Sequence, residues 1–312
     1  MKNKKFIITG GYGFIGSHLV DFLVSVGAEI IVIDNLLTGK KENLSNLNNI
    51  KIILDNVENI NLTKLGKVDG VFHLAAQASV PISIKEISNS SSINILSSLK
   101  VIEFCNENFI PLIYASSSAV YGNIKYGEEN GDFELLSPYA VDKYALEKFA
   151  EVCGKTHDLK SFGLRLYNVY GPRQDPSSPY SGVISIFLKK ILKNEKITIN
   201  GGYQTRDFIY VTDIVKALIE AYKKICNEQS GIALVCNVLT GNSISIDDLV
   251  LKIEKILEKK CHKEYEKLHL SDPEVSSGST IAMDKLLNLK NLKILDQGLK
   301  ETINWFINNN AK

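Results

Sequence analysis

A strand, a glycine-rich turn and the start of a helix follow one another near the N-terminus, and this combination constrains the fold more than any other part of the sequence. Residues 6–9 are apolar or β-branched, and Gly10, Gly13 and Gly16 follow at three-residue intervals. Glycine permits a tight turn, lets the backbone approach a ligand and lets a helix pack closely on a strand. The free amide groups at the start of the helix can bind an anion. The pattern therefore predicts a diphosphate site at the end of the first strand.

An acidic residue ends the next predicted strand. Asp34 closes the apolar run of residues 30–33 and lies 18 residues after Gly16. This is roughly the spacing at which a carboxylate meets the adenosine ribose of a bound dinucleotide. Asn35 follows, and no arginine stands beside Asp34 to receive a 2′-phosphate. NAD is therefore predicted in preference to NADP.

Strands and helices alternate through the first half of the chain. Further strands are predicted at residues 51–54, 70–74 and 111–115, and helices at residues 90–106 and from Ser137 onward. This rhythm is typical of the α/β class, here a Rossmann-type, doubly wound parallel sheet. Ligand sites in such sheets lie beyond the carboxyl ends of the strands. Asp34, Ala75 and Ser117 are all predicted to lie there, together with the glycine turn.

The pattern changes after residue 166. Helices are predicted at residues 183–192, 211–225 and 246–259, with short strands at 197–199 and 233–238 between them. We therefore predict a dinucleotide-binding domain over residues 1–166, which segments near 205–240 rejoin. Residues 167–312 are predicted to form mainly a smaller, mixed α/β substrate domain.

Composition narrows the classes of function. A net charge of +1 gives no general attraction to nucleic acid, and no apolar run approaches the length of a membrane helix. The five cysteines are scattered and never form a C-x-x-C pair, which indicates reduced thiols rather than disulfides or a metal site. The sequence thus predicts a cytoplasmic enzyme without a metal, a nucleic-acid partner or a membrane anchor.

Three residues suggest a redox centre. Tyr139 and Lys143 are four residues apart on one predicted helix and therefore share a face, while Ser117 ends the preceding strand. A tyrosine with a pKa near 10 is a poor base at neutral pH, but a nearby ammonium and an oxidised nicotinamide ring both favour the phenolate. A serine hydroxyl can share the proton. Together they could deprotonate an alcohol while its carbon transfers hydride to NAD.

These motifs resemble the extended short-chain dehydrogenase/reductases, the NAD-dependent epimerase/dehydratase family. The resemblance runs nearly from end to end. It rests on the segments at residues 10–16, 34–35, 73–76, 116–118, 139–143, 165–173 and 206–211.

The resemblance implies the two ligand sites. The residues implied to contact NAD are Gly10, Gly13, Phe14, Ile15, Gly16, Asp34, Asn35, Asp55, Leu74, Ala75, Ala76, Tyr139 and Lys143. Those implied to contact a nucleotide sugar are Ser79, Val80, Ser83, Ser117, Tyr139, Asn168, Val183 and Arg206. Arg206 is expected at the diphosphate, where a guanidinium suits phosphate oxygens, although a surface salt bridge with a neighbour such as Asp207 is the alternative.

The resemblance also bears on the reaction. Family 4,6-dehydratases follow the catalytic hydroxyl with Asp-Glu, whereas this chain has Ser118 and Ala119, which cannot do that proton chemistry. What remains is epimerisation. The segments at residues 116–122, 174–176 and 181–185 resemble those of short UDP-glucose or UDP-N-acetylglucosamine 4-epimerases, which implies 4-epimerisation of one of these sugars through a 4-keto sugar. The alternatives are another nucleotide-sugar epimerase, decarboxylase or 4-reductase, acting on UDP-glucuronate or on a CDP-, GDP- or dTDP-sugar. A catalytically silent NAD-sensing protein is the remote alternative, because it would not need Ser117, Tyr139 and Lys143.

Two segments near the C-terminus bear on the substrate that this resemblance implies. The arginine that the family often places before its last strand is missing, and His269 or Lys267 stands nearby instead. The small residues at 276–280 fall near the position that in these epimerases admits a 2-N-acetyl group. By the same resemblance we expect a homodimer formed through the helices near residues 90–108 and 137–157.

Overall fold

A seven-stranded parallel sheet forms the centre of the molecule. The computed structural model describes residues 1–176, 182–268 and 272–310. The strands are β1 (Lys5–Thr9), β2 (Glu29–Asp34), β3 (Ile50–Leu54), β4 (Gly70–His73), β5 (Leu112–Ser117), β6 (Ser161–Leu166), β7 (Asn168–Tyr170), β8 (Ile197–Asn200), β9 (Thr205–Tyr210), β10 (Ala233–Val238), β11 (Ser243–Ser245), β12 (Lys263–Glu266) and β13 (Val275–Ser276). The central sheet has the order β10-β6-β5-β4-β1-β2-β3, and all its pairs are parallel. The predicted doubly wound sheet is confirmed.

Helices cover both faces of this sheet. They are α1 (Phe14–Ser25), α2 (Val80–Lys85), α3 (Ile87–Ser91), α4 (Ser97–Glu107), α5 (Pro138–His157), α6 (Val183–Leu192), α7 (Val211–Cys226), α8 (Ile246–Leu257), α9 (Ile281–Leu287) and α10 (Leu295–Asn310). Short 3₁₀ turns lie at Lys41–Asn43, Val57–Asn59, Leu62–Leu65 and Ser118–Tyr121. None of the helices within the described ranges is long and apolar enough to cross a membrane.

The alternation of side chains along the strands explains why both faces are covered. In β1, Phe6 and Ile8 pack in a core with α1 and α7, whereas Ile7 points to the opposite core with α4 and α5. Successive strand residues point to opposite faces, so a strand that is apolar throughout must be buried on both sides.

A second, smaller region stands beside the carboxyl ends of β5 and β6. Strand β9 pairs with β7, β11 and β13, and β8 pairs with β12. Helices α6, α8 and α10 pack around a separate core that contains Leu188, Leu249 and Leu299. Between these elements the chain returns to the central sheet, where β10 pairs with β6. The functional division at residue 166 stays a prediction.

One predicted helix differs from the structure. The sequence predicts a continuous helix over residues 90–106, but Ser92–Leu96 form a π-helical segment between α3 and α4. The wider turn places the Asn94 side chain in the interior, where it bonds both backbone groups of Gln77 and the Asp142 carboxylate. Such π segments are frequent near functional sites.

Candidate active site

A cavity of about 250 Å³ lies at the carboxyl ends of β1, β2, β4 and β5. Eleven of the residues predicted to contact NAD line it. They are Gly10, Gly13, Phe14, Ile15, Gly16, Asp34, Asn35, Asp55, Leu74, Ala75 and Ala76. The described residues contain no group of three or more His, Cys, Asp or Glu side chains arranged to hold a metal ion. The cavity therefore presents the glycine turn, the strand-end carboxylate and the small residues to one ligand-sized space.

The glycine turn leaves no room for side chains on the cavity floor. Gly10 has φ +72°, and a Cβ atom there would lie 2.8 Å from the Ala75 backbone nitrogen. A Cβ atom on Gly16 would lie 2.0 Å from the Gly10 carbonyl oxygen. Gly13 precedes α1 as its N-cap without a side-chain cap, so the first amide groups of the helix are available to an anion.

Substitution of Gly16 by alanine tests this close approach. Because the new methyl group would meet backbone, we expect Gly16→Ala to lower the free energy of unfolding by about 1–3 kcal/mol, as overpacking does. NAD binding should weaken as well, since the turn must move. Gly131→Ala is the control, because the nearest atoms to its Cβ are at ordinary contact distance, 3.4 Å. Urea denaturation of both variants measures the difference, and equal stabilities would contradict the prediction.

Asp34 is fixed before any ligand binds. Its Oδ2 accepts a hydrogen bond from the Tyr12 amide at 2.9 Å and its Oδ1 accepts one from the Leu36 amide at 2.8 Å. Burial raises the pKa of the carboxyl, and these two bonds oppose that rise. Asp55, farther along the cavity, accepts from the Asn56 amide and from Asn59. Both carboxylates are thus held in place by the protein, and their predicted contacts with the adenosine half of NAD stay predictions.

Ser117, Tyr139 and Lys143 meet at the carboxyl end of β5. The Ser137 hydroxyl caps α5 by accepting from the Ala140 amide, which fixes the start of the helix that carries Tyr139 and Lys143. Lys143 Nζ donates to the Ala115 carbonyl at 2.8 Å and lies 5.8 Å from the centre of the Tyr139 ring. Both side chains are buried, so they are not a solvated helix pair.

The electrostatics of these groups differ in part from the sequence expectation. Burial lowers the pKa of Lys143 to about 8, although Asp142 and Glu147 oppose the shift. Burial also raises the pKa of Tyr139, and a hydrogen bond with Ser117 only partly offsets this rise. The phenolate is therefore disfavoured in the protein alone, because desolvation and the charge of Asp142 outweigh the hydrogen bond from Ser117. A cationic nicotinamide ring beside Tyr139 would act in the opposite direction.

The residues predicted near the hexose lie around α2, next to Tyr139. Ser79 caps α2 by accepting from the Ile82 amide, and Val80 is the first residue of that helix. Ser83 is fully buried, donates to the Val80 carbonyl and accepts from the Tyr139 amide at 3.2 Å. Ser83 therefore fixes the backbone of Tyr139, and its contact with a sugar stays a prediction.

The remaining predicted substrate residues lie on the smaller region. Asn168 is in β7 and donates to the Asp207 carbonyl at 3.0 Å, and Val183 begins α6. Arg206 is in β9 and forms an ion pair with Asp272. The alternative partner Asp207 is wrong, because its carboxylate is fully buried and accepts bonds from residues 240 and 242. The Asp272 side chain is 45% exposed, and the contact of Arg206 with a diphosphate stays a prediction.

Two other predictions concern the end of the chain. His269, the possible substitute for the missing arginine, lies outside the described residues. The run of small residues at 276–280 packs against the connection between β5 and α5. Ser277 O accepts from the Tyr167 hydroxyl at 3.2 Å, and the Ser279 amide donates to the Gly127 carbonyl.

Sequence reasoning missed a buried histidine behind the cavity. The Thr9 hydroxyl oxygen accepts hydrogen bonds from the amides of Leu74 and Ala75, so the hydroxyl itself donates a hydrogen bond to His73 Nδ1 at 2.8 Å. His73 Nε2 then donates to the Ser98 hydroxyl at 3.1 Å. Burial, together with the charge of Lys143, lowers the pKa of His73 to about 3. The ring is therefore neutral and joins β1, β4 and α4.

This histidine predicts a loss of stability in acid. Its pKa is about 3 in the folded protein against 6.5 when unperturbed, so between these values the unfolded state binds more protons. The free energy of unfolding should therefore fall as pH drops below about 6.5, by about 1–2 kcal/mol between pH 7 and pH 5 from this group. Urea denaturation at both pH values should show a smaller drop for His73→Gln. The control His157→Gln, at an exposed site, should keep the full drop; equal slopes in all three proteins would contradict the assignment.

Comparison with known proteins identifies the family. Residues 6–236 match the model of the NAD dependent epimerase/dehydratase family. The chain belongs to this family. The family resemblance predicted from the sequence motifs is thereby confirmed, and the predicted cofactor, NAD, is confirmed at the level of the family, which is NAD-dependent.

Solved structures of family members superpose on nearly the whole chain. A UDP-N-acetylglucosamine 4-epimerase from Methanobrevibacter ruminantium, in complex with UDP-N-acetylmuramic acid, is 39% identical, with a TM-score of 0.93 over 99% of this chain and 100% of that one. A UDP-glucose 4-epimerase from Thermotoga maritima, with UDP-glucose, is 32% identical, with a TM-score of 0.90 over 98% and 99% of the two chains. The Thermus thermophilus UDP-glucose 4-epimerase in complex with NAD is 30% identical, with a TM-score of 0.86 over 97% and 99%.

The cavity of this chain fits the family cofactor. Its floor is closed to any Cβ atom at Gly10 and Gly16, as a diphosphate-binding turn requires. Arg173 lines the cavity, and its buried guanidinium nitrogen Nη1 has no hydrogen-bond partner in the part of the chain that the structure describes. An anionic dinucleotide would supply that partner.

Proposed function

We propose that this protein catalyses the NAD-dependent 4-epimerisation of a UDP-hexose through a transient 4-keto sugar. The observation that carries the proposal is the group of Ser117, Tyr139 and Lys143 beside the dinucleotide cavity, in which the tyrosine and the lysine are buried. Ser118 and Ala119 follow in the 3₁₀ turn, so the acid and base that a dehydratase needs there are missing. The names of the similar solved structures support the same reaction.

Each side chain has a defined part in this proposal. Tyr139 takes the proton of the C4 hydroxyl, and Ser117, which is hydrogen-bonded to it, shares that proton and orients the sugar oxygen. Lys143 is anchored to the Ala115 carbonyl and supplies a positive charge near the phenol ring. Bound NAD supplies the hydride acceptor and donor. The 4-keto sugar then turns about its diphosphate link within the site, so that the opposite face of C4 is presented for the return of the hydride, and Tyr139 returns the proton to the C4 oxygen.

The substrate contacts of the proposal follow the same geometry. Arg206 and Asn168 would hold the diphosphate from the smaller region, with Val183 nearby, while Ser79, Val80 and Ser83 would border the hexose. Tyr139 and Lys143 would also contact the nicotinamide riboside. The remaining cofactor contacts would be those of the eleven cavity-lining residues.

The substrate in this proposal is UDP-glucose or UDP-N-acetylglucosamine. The small side chains at residues 276–280, packed beside Tyr167, are consistent with room for a 2-N-acetyl group. The similar structures include enzymes named for each sugar. Both substrates therefore enter the test on equal terms.

The test incubates pure protein, without added reductant, separately with UDP-glucose and UDP-N-acetylglucosamine. Anion-exchange chromatography should show the 4-epimer of one or both, and Tyr139→Phe should abolish the conversion. If both sugars return unchanged while NAD is bound, 4-epimerisation of these sugars is wrong. UDP-glucuronate and other nucleotide sugars would be assayed next, with release of carbon dioxide or net consumption of NADH identifying a decarboxylase or a reductase. Absence of any turnover would favour the NAD-sensing alternative.

A homodimer is part of the proposal. Helices α4 and α5 pack side by side, and several large apolar side chains near or on them are exposed: Leu96, Val141, Phe149 and Val152. Burial of this surface against a second copy would remove it from water. Light scattering should give twice the mass of the chain for the parent protein and the monomer mass for Phe149→Glu. A parent protein of monomer mass would overturn this part.

A cytoplasmic location also belongs to the proposal, supported by the five unpaired, scattered cysteines.

A further inference from the structure

The loop formed by residues 171–176 closes one wall of the dinucleotide cavity and is fastened to the cofactor side of the molecule. His18 Nε2 bonds the Pro172 carbonyl at 3.0 Å, and Lys40 pairs with Asp175 at 2.8 Å. Arg173 pairs with Asp21 of α1 at 2.6 Å. These contacts join a loop that follows β7 to α1 and to the segment after β2. The loop therefore belongs to the cofactor site, although it lies far from the glycine turn in sequence.

Arg173 combines three features that a structural salt bridge alone does not explain. Its backbone has φ +67°, a conformation that costs energy for a residue other than glycine. Asp21 accepts a hydrogen bond from Nη2, whereas Nη1 is buried and has no hydrogen-bond partner among the described residues. A buried donor of this kind is costly unless a ligand completes it. Arg173 also lines the cavity itself.

We propose that Arg173 binds a diphosphate oxygen of the dinucleotide through Nη1 and so retains the cofactor. Among the described residues that line the cavity, the cationic side chains are Lys40 and Arg173, and Lys40 Nζ is already paired with Asp175. The amide groups at the start of α1 approach the diphosphate from one side, and the guanidinium approaches from the loop. Asp21 fixes the fork so that its second nitrogen faces the anion.

The proposed reaction requires that the cofactor stay bound throughout a turnover. An epimerase oxidises and reduces the same sugar with the same NAD, so dissociation in mid-turnover would leave a ketone and a reduced cofactor apart. This need for retention rests on the proposed function, whereas the binding of Arg173 to the diphosphate does not. Binding measurements therefore test the proposal even if the reaction proves to be a different one.

The test compares Arg173→Gln with the parent protein in binding four probes: NAD, ADP-ribose, adenosine and UDP. A charge-assisted hydrogen bond predicts that the Kd for NAD and for ADP-ribose rises roughly ten- to a hundredfold, and that bound NAD exchanges correspondingly faster against a fluorescent analogue. Adenosine lacks the diphosphate and UDP occupies the sugar-nucleotide side, so both should change less than about twofold. A weakening for UDP alone would assign Arg173 to the substrate diphosphate and overturn the proposal.

Two further variants separate binding from bracing. Asp21→Asn removes the ion pair but keeps the guanidinium, so its Kd for NAD should rise by less than about tenfold. A loss equal to that of Arg173→Gln would mean that the arginine only braces the loop, and would overturn the proposal. Lys252→Gln, which breaks a comparable ion pair with Asp296 at 2.7 Å, away from the cavity-lining residues, should leave all four affinities unchanged. If Arg173→Gln does not fold, Arg173→Met keeps the apolar stem, and unaltered NAD binding in that variant would equally overturn the proposal.

Discussion

Replacement of Tyr139 by phenylalanine is expected to lower the turnover number of epimerisation by roughly 10²–10⁴-fold. The substitution removes one oxygen atom from a buried ring and leaves the ring in place. Without the phenol oxygen, no described side chain next to Ser117 can take the C4 proton, because Lys143 is engaged with the Ala115 carbonyl. The KM for the nucleotide sugar should change little, since the lost contact acts in the transition state.

The assay uses whichever UDP-sugar the parent protein converts, under saturating substrate. The NAD content of the variant and its melting temperature show whether the site is otherwise intact. Ser117→Ala is the companion variant, and it should retain more activity, because it removes the residue that shares the proton and not the one that takes it. A Tyr139→Phe protein with more than about a tenth of the parent turnover would refute the role of the phenol as the base.

The cofactor cavity could be predicted almost entirely from the sequence. The glycine turn, Asp34 and the small residues after β4 each lie at the carboxyl end of a strand, and in a parallel sheet these ends of neighbouring strands meet at one edge. Strand order along such an edge follows general rules, so local motifs were enough to place these residues around one cavity. Their contacts with NAD stay predictions.

What could not be predicted depends on contacts between distant parts of the chain. Arg206 pairs with Asp272, 66 residues away, and not with its neighbour Asp207. The Asp207 carboxylate is buried and instead accepts hydrogen bonds from the loop at residues 240–242. Arg173 reaches Asp21 across 152 residues. Neither pairing has a periodic signal. The inward turn of Asn94 was missed for a related reason, since a π segment and an α-helix have nearly the same pattern of apolar residues.

The pair formed by Glu147 and Arg165 was also missed, although a signal existed. Glu147 follows Lys143 by four residues and so shares its helix face, and Arg165 lies between two leucines in β6. In the structure the two form a bidentate ion pair, with Arg165 Nε at 2.9 Å and Nη2 at 2.7 Å from the carboxylate. Both side chains are 4% exposed. Glu147 also accepts from Ser116, next to Ser117. The pair therefore ties the helix of Tyr139 to the strand of Ser117.

Replacement of Arg165 by methionine is expected to lower the free energy of unfolding by about 3–5 kcal/mol, because it leaves the Glu147 carboxylate buried without its partner. The Tyr121 hydroxyl loses a donor at 2.8 Å as well, and the Phe133 ring loses the guanidinium that lies 4.7 Å from its centre. Urea denaturation measures the change. The exposed pair of Lys148 and Glu151 offers a matched control, since Lys148→Met should cost less than about 1 kcal/mol.

The double variant Glu147→Leu with Arg165→Met separates the cost of an unpaired charge from the value of the pair itself. If desolvation dominates, removal of both charges should recover much of the stability that Arg165→Met loses, because two apolar side chains can occupy the same interior. The ion pair would then add little to the free energy of unfolding compared with two apolar side chains. Its remaining effect would be geometric, since Ser116 loses the acceptor that fixes the end of β5 beside Tyr139. The double variant should therefore fold stably while its turnover number stays below that of the parent; full turnover in a stable double variant would show that the pair does not position the catalytic residues.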